Sequence, residues 1–193
     1  ANLGMIFMMA VEQEYDELNF AVKHFQDTMM RIRYSSVPVV VAPHNMTLGG
    51  GCEATLHADA VQASAESYIG LVEFGVGVIP GGGGSKELTK RAGDRYVKDD
   101  VELNAYRENL IKIAQAKVST SAVEAFNLGY LVEGRDGITM NKRRLIADAK
   151  EKCIALAETG YTKPIKERNV KVLGKQALGA FKVGAHQMWE GGY

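Results

Sequence analysis

The amino-acid sequence predicts an α/β domain followed by a helical C-terminal region. Between residues 11 and 33, apolar side chains recur at near-helical spacing, which predicts a long amphipathic helix. Residues 36–43, SVPVVVAP, form a short β-branched run bounded by prolines, which is typical of a buried strand. Three glycines at 49–51 then lead into CEATLHA, which has the pattern of a helix. This order of helix, strand, glycine turn and helix is that of an α/β unit with its site at the carboxyl end of the strand.

The other elements are predicted from local signals in chain order. The first ten residues are apolar and rich in methionine, so we predict that they pack in the core. Ser85 is a predicted N-cap and Gly93 the predicted end of a short helix, and Gly129 closes a later one. The C-terminal 23 residues, KVLGKQALGAFKVGAHQMWEGGY, are predicted to be weakly helical and broken by glycines. Further predicted elements are strands at 59–67, 68–74 and 131–133 and helical segments at 94–117 and 141–159.

Composition bounds the possible functions. The chain has 193 residues, 46% of them hydrophobic, and equal numbers of basic and acidic residues, 23 of each. A formal net charge of zero argues against a nucleic-acid binder driven by bulk charge, although a local basic patch stays possible. Cys52 and Cys153 have no metal-type spacing, which favours reduced thiols in a cytoplasmic protein. No apolar run approaches the roughly 18 residues of a membrane span.

Two glutamates form the candidate site. Glu53 and Glu73 lie 20 positions apart, and each lies close to a glycine run. Glu53 falls in the first turn of a predicted helix, whose free N–H groups can hold an anion or a carbonyl oxygen becoming one. Two carboxyl groups beside such a site can act as acid and base on a carbonyl compound. Taken singly, Glu53 could instead complement the helix dipole, and Glu73 could be an exposed strand end.

Other patterns fail on inspection. The segment GGGGSKE has its serine and lysine in the wrong order for a phosphate loop, and GVGVIPG misses the spacing of a dinucleotide fingerprint. No serine lies in a GxSxG elbow, so a hydrolase triad has no support. The histidines have no HxxxH or HExxH arrangement, so we predict surface or capping roles for them and no metal site: His24, His44, His57 and His186.

The glycine-rich motifs resemble those of a known superfamily. LGGGCE, followed after twenty positions by a glutamate and IPGGGG, is similar to the signature of the crotonase (enoyl-CoA hydratase/isomerase) superfamily. SKELTKRAG and AKVSTSAVEAFNLGYLVE continue the resemblance, which covers roughly residues 1–160. The pattern is most similar to the hydratase-like part of bifunctional 3-hydroxyacyl-CoA dehydrogenase/enoyl-CoA hydratase proteins.

The resemblance implies a fold and an assembly. Residues 1–140 are expected to form the later turns of a crotonase-like β/β/α spiral, N-terminally truncated, and residues 141–193 a helical region. The chain lacks an initiator methionine and opens inside a family motif, so we expect a fragment of a larger multifunctional protein. Family members associate as trimers or dimers of trimers. The methionine-rich start could also form a wall of an acyl pocket.

The resemblance also implies a reaction, the addition of water to 2-enoyl-CoA thioesters in fatty-acid β-oxidation. Glu53 would activate the water, and Glu73 in its acid form would supply the α-proton. The N–H groups of Gly50 and Ala1 would bind the thioester oxygen as charge develops on it. An apolar environment from Leu71, Val72 and Phe74 would keep Glu73 protonated. Because Ala1 begins the chain and Asn2 stands where the family usually has Asp, the isolated chain is expected to show little activity.

Alternatives stay open. The chain could be another enzyme of the superfamily, either an enoyl-CoA isomerase or an acyl-CoA thioester hydrolase, or a non-catalytic assembly module. Isomerisation needs one proton-shuttling carboxyl, typically the second, so the presence of Glu53 argues against it. The expected partner is an acyl-CoA substrate. No cofactor is expected beyond it, and NAD only if the natural protein has a dehydrogenase domain.

Overall fold

A computed structural model of the chain describes residues 2–99 and 101–191, without the side chains of Met188 and Trp189. Two helices come first, strands and helices are then interspersed as far as β5, and two long helices follow. The helices are α1 Leu3–Val11, α2 Tyr15–Arg33, α3 Gly50–His57, α4 Gly84–Asp94, α5 Glu102–Ala114, α6 Ala122–Asn127, α7 Leu145–Glu158 and α8 Gly174–Glu190. The strands are β1 Val40–Val41, β2 Asn45–Leu48, β3 Ala60–Ser64, β4 Ser67–Gly70 and β5 Gly137–Thr139, with 3-10 turns at Glu73–Val76 and Lys142–Arg144.

The strands form two parallel sheets that the chain visits in turn. One sheet has the order β1-β3-β5, and the other pairs β2 with β4. Strands β1 and β2 are followed by α3, and then β3 and β4 repeat the same visit to each sheet. Each of these two turns of the chain therefore adds one strand to each sheet, which is the β/β/α spiral that the family resemblance implied.

The core lies between the sheets and the helices that follow them. Its fully buried side chains come from α3, β3, β4, α4, α6 and the segment after α6, where Tyr130 is the largest. The Tyr130 hydroxyl donates a 2.7 Å hydrogen bond to the carbonyl of Lys117. Helix α7 packs on β1 and β3. The division between residues 1–140 and 141–193 stays a prediction.

The N-terminal segment does not pack in the core as predicted. It forms α1, in which Met5 is 59% exposed, Phe7 66% and Met8 51%. Gln13, with a φ of 60°, lies in the break between α1 and α2. The long amphipathic helix predicted for 11–33 is confirmed as α2, which begins after this break.

Several element ends differ from the prediction. Helix α4 is capped by Gly83 rather than Ser85, and Gly93 lies inside it. Residues 131–133 form no strand, because the Asp136 carboxylate accepts the Val132 N–H over 2.8 Å in place of a neighbouring strand. The strand of this region is β5. The run at 36–43 yields only the two residues of β1.

The C-terminal helices are more regular than predicted. Helix α8 runs through Gly179 and Gly184 without a break. The 141–159 prediction is confirmed as a 3-10 turn followed by α7, and 94–117 contains α5. The helix closed at Gly129 is confirmed as α6, whose N-cap Ser121 accepts the Glu124 N–H. In the described part of the chain, no helix combines the length and apolarity needed to cross a membrane.

Candidate active site

The site is built on the turn between β2 and α3. Gly49 has a φ of 55°, a left-handed conformation that a side chain would strain. Its N–H donates a 2.9 Å hydrogen bond to the carbonyl of Gly70 at the end of β4. Helix α3 therefore begins at Gly50, at the carboxyl ends of the paired strands β2 and β4, with its N-terminal N–H groups directed out of the helix.

Glu53 lies in the first turn of α3 and is 1% exposed. Its Oε1 accepts a 2.8 Å hydrogen bond from the N–H of Gly84, at the start of α4. Burial raises the pKa of this carboxyl, and the charge of Glu73 adds to the effect, against the N–H groups of residues 82–84, which lower it. The carboxylate is therefore tied to a second element and does more than complement the dipole of its own helix.

Glu73 opens the 3-10 turn after β4. Both of its carboxyl oxygens are buried and have no hydrogen-bond partner within the described residues. Burial raises its pKa, although the N–H groups of Glu73 itself and Val72, which are near but not in hydrogen-bonding geometry, lower it. Glu73 is thus not an exposed strand end. Of the apolar neighbours expected to bury it, Leu71 is fully buried, whereas Phe74 is 54% exposed.

The two carboxyl groups share one neighbourhood. Oε1 of Glu73 would lie 3.4 Å from a β-carbon on Gly49, one residue before α3 begins. The charge of Glu73 raises the pKa of Glu53. Burial raises the pKa of the Cys52 thiol, and the charges of Glu73 and Glu53 raise it further. Two carboxyls with raised pKa values can divide their work, one protonated and able to donate, the other ionised and able to accept a proton.

Helix α2 supplies residues that the sequence did not single out. A β-carbon on Gly82 would clash with Cε1 of Phe25 and lie 2.5 Å from Oε2 of Glu53. A β-carbon on Gly50 would lie 2.8 Å from Cζ of Phe25. The side-chain amide of Gln26 donates to the carbonyl of Gly81 over 2.8 Å. In the sequence Phe25 is one of several apolar residues with helical spacing. Only the folded structure shows that it contacts the glycine turns of the site.

The remaining sequence predictions concern Ala1, the four histidines and metal binding. Ala1, the second expected oxyanion donor, lies outside the described residues. His57 is fully buried, so the surface role is wrong for it, although its Nδ1 does cap the carbonyl of Glu53 at 2.7 Å. His24, His44 and His186 are exposed. Within residues 2–99 and 101–191, no group of three or more His, Cys, Asp or Glu side chains could hold a metal ion.

A second cleft is lined mostly by basic side chains. It encloses about 250 Å³ between α2, α4 and the turn before β5. Its lining contains neither Glu53 nor Glu73. The lining residues are Arg33, Glu87, Lys90, Arg91, Asp94, Arg95, Val132 and Arg135.

Comparison with known proteins gives consistent matches. The family model for enoyl-CoA hydratase/isomerase matches residues 4–107. A Bacillus subtilis (strain 168) protein named "Probable 3-hydroxyacyl-CoA dehydrogenase" is 46% identical over an aligned length of 197 residues. The alignment covers 100% of this chain and 24% of that protein. A Rickettsia felis protein named as a fatty acid oxidation complex trifunctional enzyme is 32% identical over 77% of this chain and 19% of its own length.

A solved structure agrees with the fold. The crystal structure of an enoyl-CoA hydratase from Bacillus anthracis has a TM-score of 0.53 and 26% sequence identity to the chain. The match covers 75% of this chain and 47% of that one. The chain spans about a quarter or less of the length of the curated relatives it matches.

Proposed function

Because the chain belongs to the enoyl-CoA hydratase/isomerase family, we propose that it carries the hydratase centre that adds water to 2-enoyl-CoA thioesters. One observation carries this proposal. Two buried carboxyl groups with raised pKa values flank the N-terminus of α3, one bound to a loop N–H and the other without a partner in the described chain. Hydration needs two such groups, since a proton leaves water while another is added to the substrate.

The environments of the two glutamates suggest their roles. The N–H of Gly84 favours the ionised form of Glu53, which then takes a proton from water as the oxygen bonds to the β-carbon. For Glu73, burial outweighs the nearby N–H groups of Glu73 itself and Val72 and raises the pKa, so its protonated form supplies the proton that bonds to the α-carbon. The proton balance is restored when Glu53 releases its proton and Glu73 regains one, directly or through solvent.

The thioester oxygen needs a hydrogen-bond donor, since negative charge collects there as the β-carbon is attacked. We assign this role to the N–H of Gly50, the first residue of α3. Its position at the helix N-terminus adds the favourable end of the helix dipole. Ala1 stays the proposed second donor.

Isomerisation of a 3-enoyl to a 2-enoyl thioester is the second candidate. It needs one carboxyl that removes a proton at one carbon and returns it at another. The lack of a described partner for the Glu73 oxygens favours it, since that group is free to shuttle a proton while Glu53 is held by the loop.

The deciding experiment measures both reactions in the natural protein that carries this sequence. Hydration is followed as loss of enoyl absorbance with crotonyl-CoA, and isomerisation with a 3-enoyl-CoA. For a hydratase, Glu53→Gln and Glu73→Gln each abolish most of the hydration. If Glu53→Gln leaves isomerisation intact and the wild type hydrates nothing, the isomerase proposal replaces this one. A wild type inactive in both assays would indicate an assembly module.

The setting of the reaction is also proposed. The names of the relatives place them in fatty acid oxidation or as a 3-hydroxyacyl-CoA dehydrogenase, so we propose fatty-acid β-oxidation, with NAD used only if the natural protein has a dehydrogenase domain. We further propose a trimer or a dimer of trimers, since α1 exposes Phe7 and its methionines to an extent that association would bury. Analytical ultracentrifugation tests the assembly.

A further inference from the structure

His57 joins the two elements that hold Glu53. It is the last residue of α3, and its imidazole is fully buried. Nδ1 lies 2.7 Å from the carbonyl oxygen of Glu53. A carbonyl oxygen can only accept, so Nδ1 carries a proton. In the neutral ring Nε2 is then an acceptor.

The far side of the ring faces α4. Nε2 lies 3.1 Å from Nζ of Lys86 and 3.6 Å from Oε1 of Glu87. The lone pair on Nε2 suits the ammonium of Lys86, which also pairs with Glu87 at 2.8 Å. Arg33 of α2 lies 3.9 Å from the same carboxylate. A protonated ring would instead place a second positive charge against Lys86.

The electrostatics agree with a neutral ring. Burial lowers the pKa of His57 and the charges of Lys86 and Arg33 lower it further, against the Glu53 carbonyl and the Glu87 carboxylate, which raise it. Burial alone would raise the pKa of Glu87, but Lys86 and Arg33 lower it below its usual value. Glu87 is therefore ionised, and its negative charge balances the positive charge of Lys86. His57 is then the uncharged member of the cluster.

The ring also supports the glycine loop. A β-carbon on Gly83 would lie 3.1 Å from Nε2 and 3.2 Å from Cε1 of His57, so the imidazole edge lies directly against this residue. The next residue, Gly84, donates the N–H that binds the Glu53 carboxylate. His57 thus contacts the backbone of Glu53 on one side and the loop that orients its side chain on the other.

We infer that His57 is a positioning residue for Glu53. The neutral ring, protonated on Nδ1 and bound through Nε2 to Lys86, fixes the spacing between α3 and the loop at 82–84. That spacing keeps the Glu53 carboxylate on the Gly84 N–H. The inference rests on the proposed function, because it assigns His57 a role in presenting the carboxylate that activates water.

Turnover in the natural protein tests the position. His57→Leu removes both polar atoms at similar volume, so kcat should fall about tenfold to a hundredfold with KM little changed, the usual penalty for a misplaced catalytic group. His57→Asn keeps an N–H near the Nδ1 position and should retain more turnover than leucine. The exposed His186→Leu is the matched control and should match the wild type. Equal turnover of His57→Leu and wild type overturns the inference.

The pH profile separates positioning from general support of the fold. Lys86→Met removes a charge that disfavours protonation of His57, so the acid limb of kcat and the titration of the His57 ring followed by nitrogen NMR should both move to higher pH. Glu87→Gln removes a charge that favours it, so the limb should move to lower pH. Shifts in one common direction, or none, contradict the inference. Nitrogen NMR of the ring should show a neutral Nδ1–H form at neutral pH, and a charged ring or an Nε2–H form also overturns it.

Failure of this inference differs from failure of the proposed function. If Glu53→Gln abolishes hydration while His57→Leu does not, the function stands and the positioning role is wrong. If Glu53→Gln keeps full activity, the proposed function fails. In that event the positioning role is judged by NMR of the Gly84 amide. Its resonance should shift in His57→Leu, and an unchanged resonance overturns the role.

Discussion

The N–H of Gly84 donates to Oε1 of Glu53 over 2.8 Å, a buried hydrogen bond between residues 31 positions apart. It joins the first turn of α3 to the start of α4. The second glycine run therefore supplies the donor that orients the carboxylate beside the first run. The two runs that stand out in the sequence form one structure around Glu53.

The loop at 81–84 should tolerate a methyl group at one glycine and not at its neighbour. A β-carbon at Gly82 would lie within 2.5 Å of Glu53 Oε2 and nearer still to Phe25, whereas at Gly81 its nearest neighbour is the carbonyl of Ile79 at 3.8 Å. We expect Gly82→Ala to lower the free energy of unfolding by about 1–3 kcal/mol, as overpacking does, and to lower turnover as well. Gly81→Ala is the matched control and should stay within about 0.5 kcal/mol of wild type. Urea unfolding of both variants checks this, and equal losses would contradict the contact geometry.

Replacing either carboxyl should impair the chemistry more than binding. Glu53→Gln and Glu73→Gln should each lower hydratase kcat by about two or more orders of magnitude, the usual contribution of a positioned acid or base. KM should change much less, because glutamine keeps the shape of the side chain. Steady-state kinetics of crotonyl-CoA hydration checks this. Near-normal turnover in both variants would rule out the two-carboxyl mechanism.

Stability should depend on pH through Glu73. Its folded-state pKa is raised above the ordinary value of 4.5, so the folded state holds this proton more tightly than the unfolded chain does. The resulting stability is fully present below about pH 4.5 and is lost as pH rises through the folded-state pKa. Glu73→Gln should therefore become more stable than wild type as pH rises towards neutral. Thermal melts over a pH series measure the difference, with the exposed Glu66→Gln as a control. A variant less stable than wild type at neutral pH would contradict it.

Arg91 should be important for stability rather than chemistry. Its guanidinium donates to the carbonyls of Gly129, Tyr130 and Leu56 at 2.9, 3.0 and 3.1 Å, and burial lowers its pKa to about 10. Arg91→Met leaves these carbonyls without their donor and should lower the free energy of unfolding by about 3 kcal/mol. Arg91→Lys should fall between that variant and wild type. The exposed Arg143→Met is the control, and chemical denaturation giving equal values for the two methionine variants would refute the role.

Local signals predicted the frame of the site well. The turn and α3 could be predicted because the glycines at 49–51 permit the left-handed backbone that Gly49 adopts, and because a helical pattern follows them directly. The Ser121 cap and Gly129 likewise mark the two ends of α6. The family motifs extended this to the spiral, which the comparisons confirmed.

Long-range contacts could not be predicted in the same way. The Asp136 carboxylate accepts hydrogen bonds from the N–H of Val132 and from that of Val61, which is 75 positions away. The last strand is therefore β5 and not the predicted segment 131–133. Phe25 and His57 likewise gain their roles from elements that are distant in sequence. In α8 the two internal glycines weaken a local helix preference without ending the helix.

The parallel registers also set a fixed length of chain between the two glutamates. Val40 pairs with Ala60 and Asn45 with Ser67, so one pitch of the spiral spans 20 to 22 residues. Glu53 and Glu73 are 20 positions apart and thus occupy successive pitches at nearly the same angular position. An insertion between them would rotate one carboxyl away from the other. Length variation is therefore expected later, after Glu73 and before β5, in the stretch that lets β3 and β5 pair residues 75 positions apart.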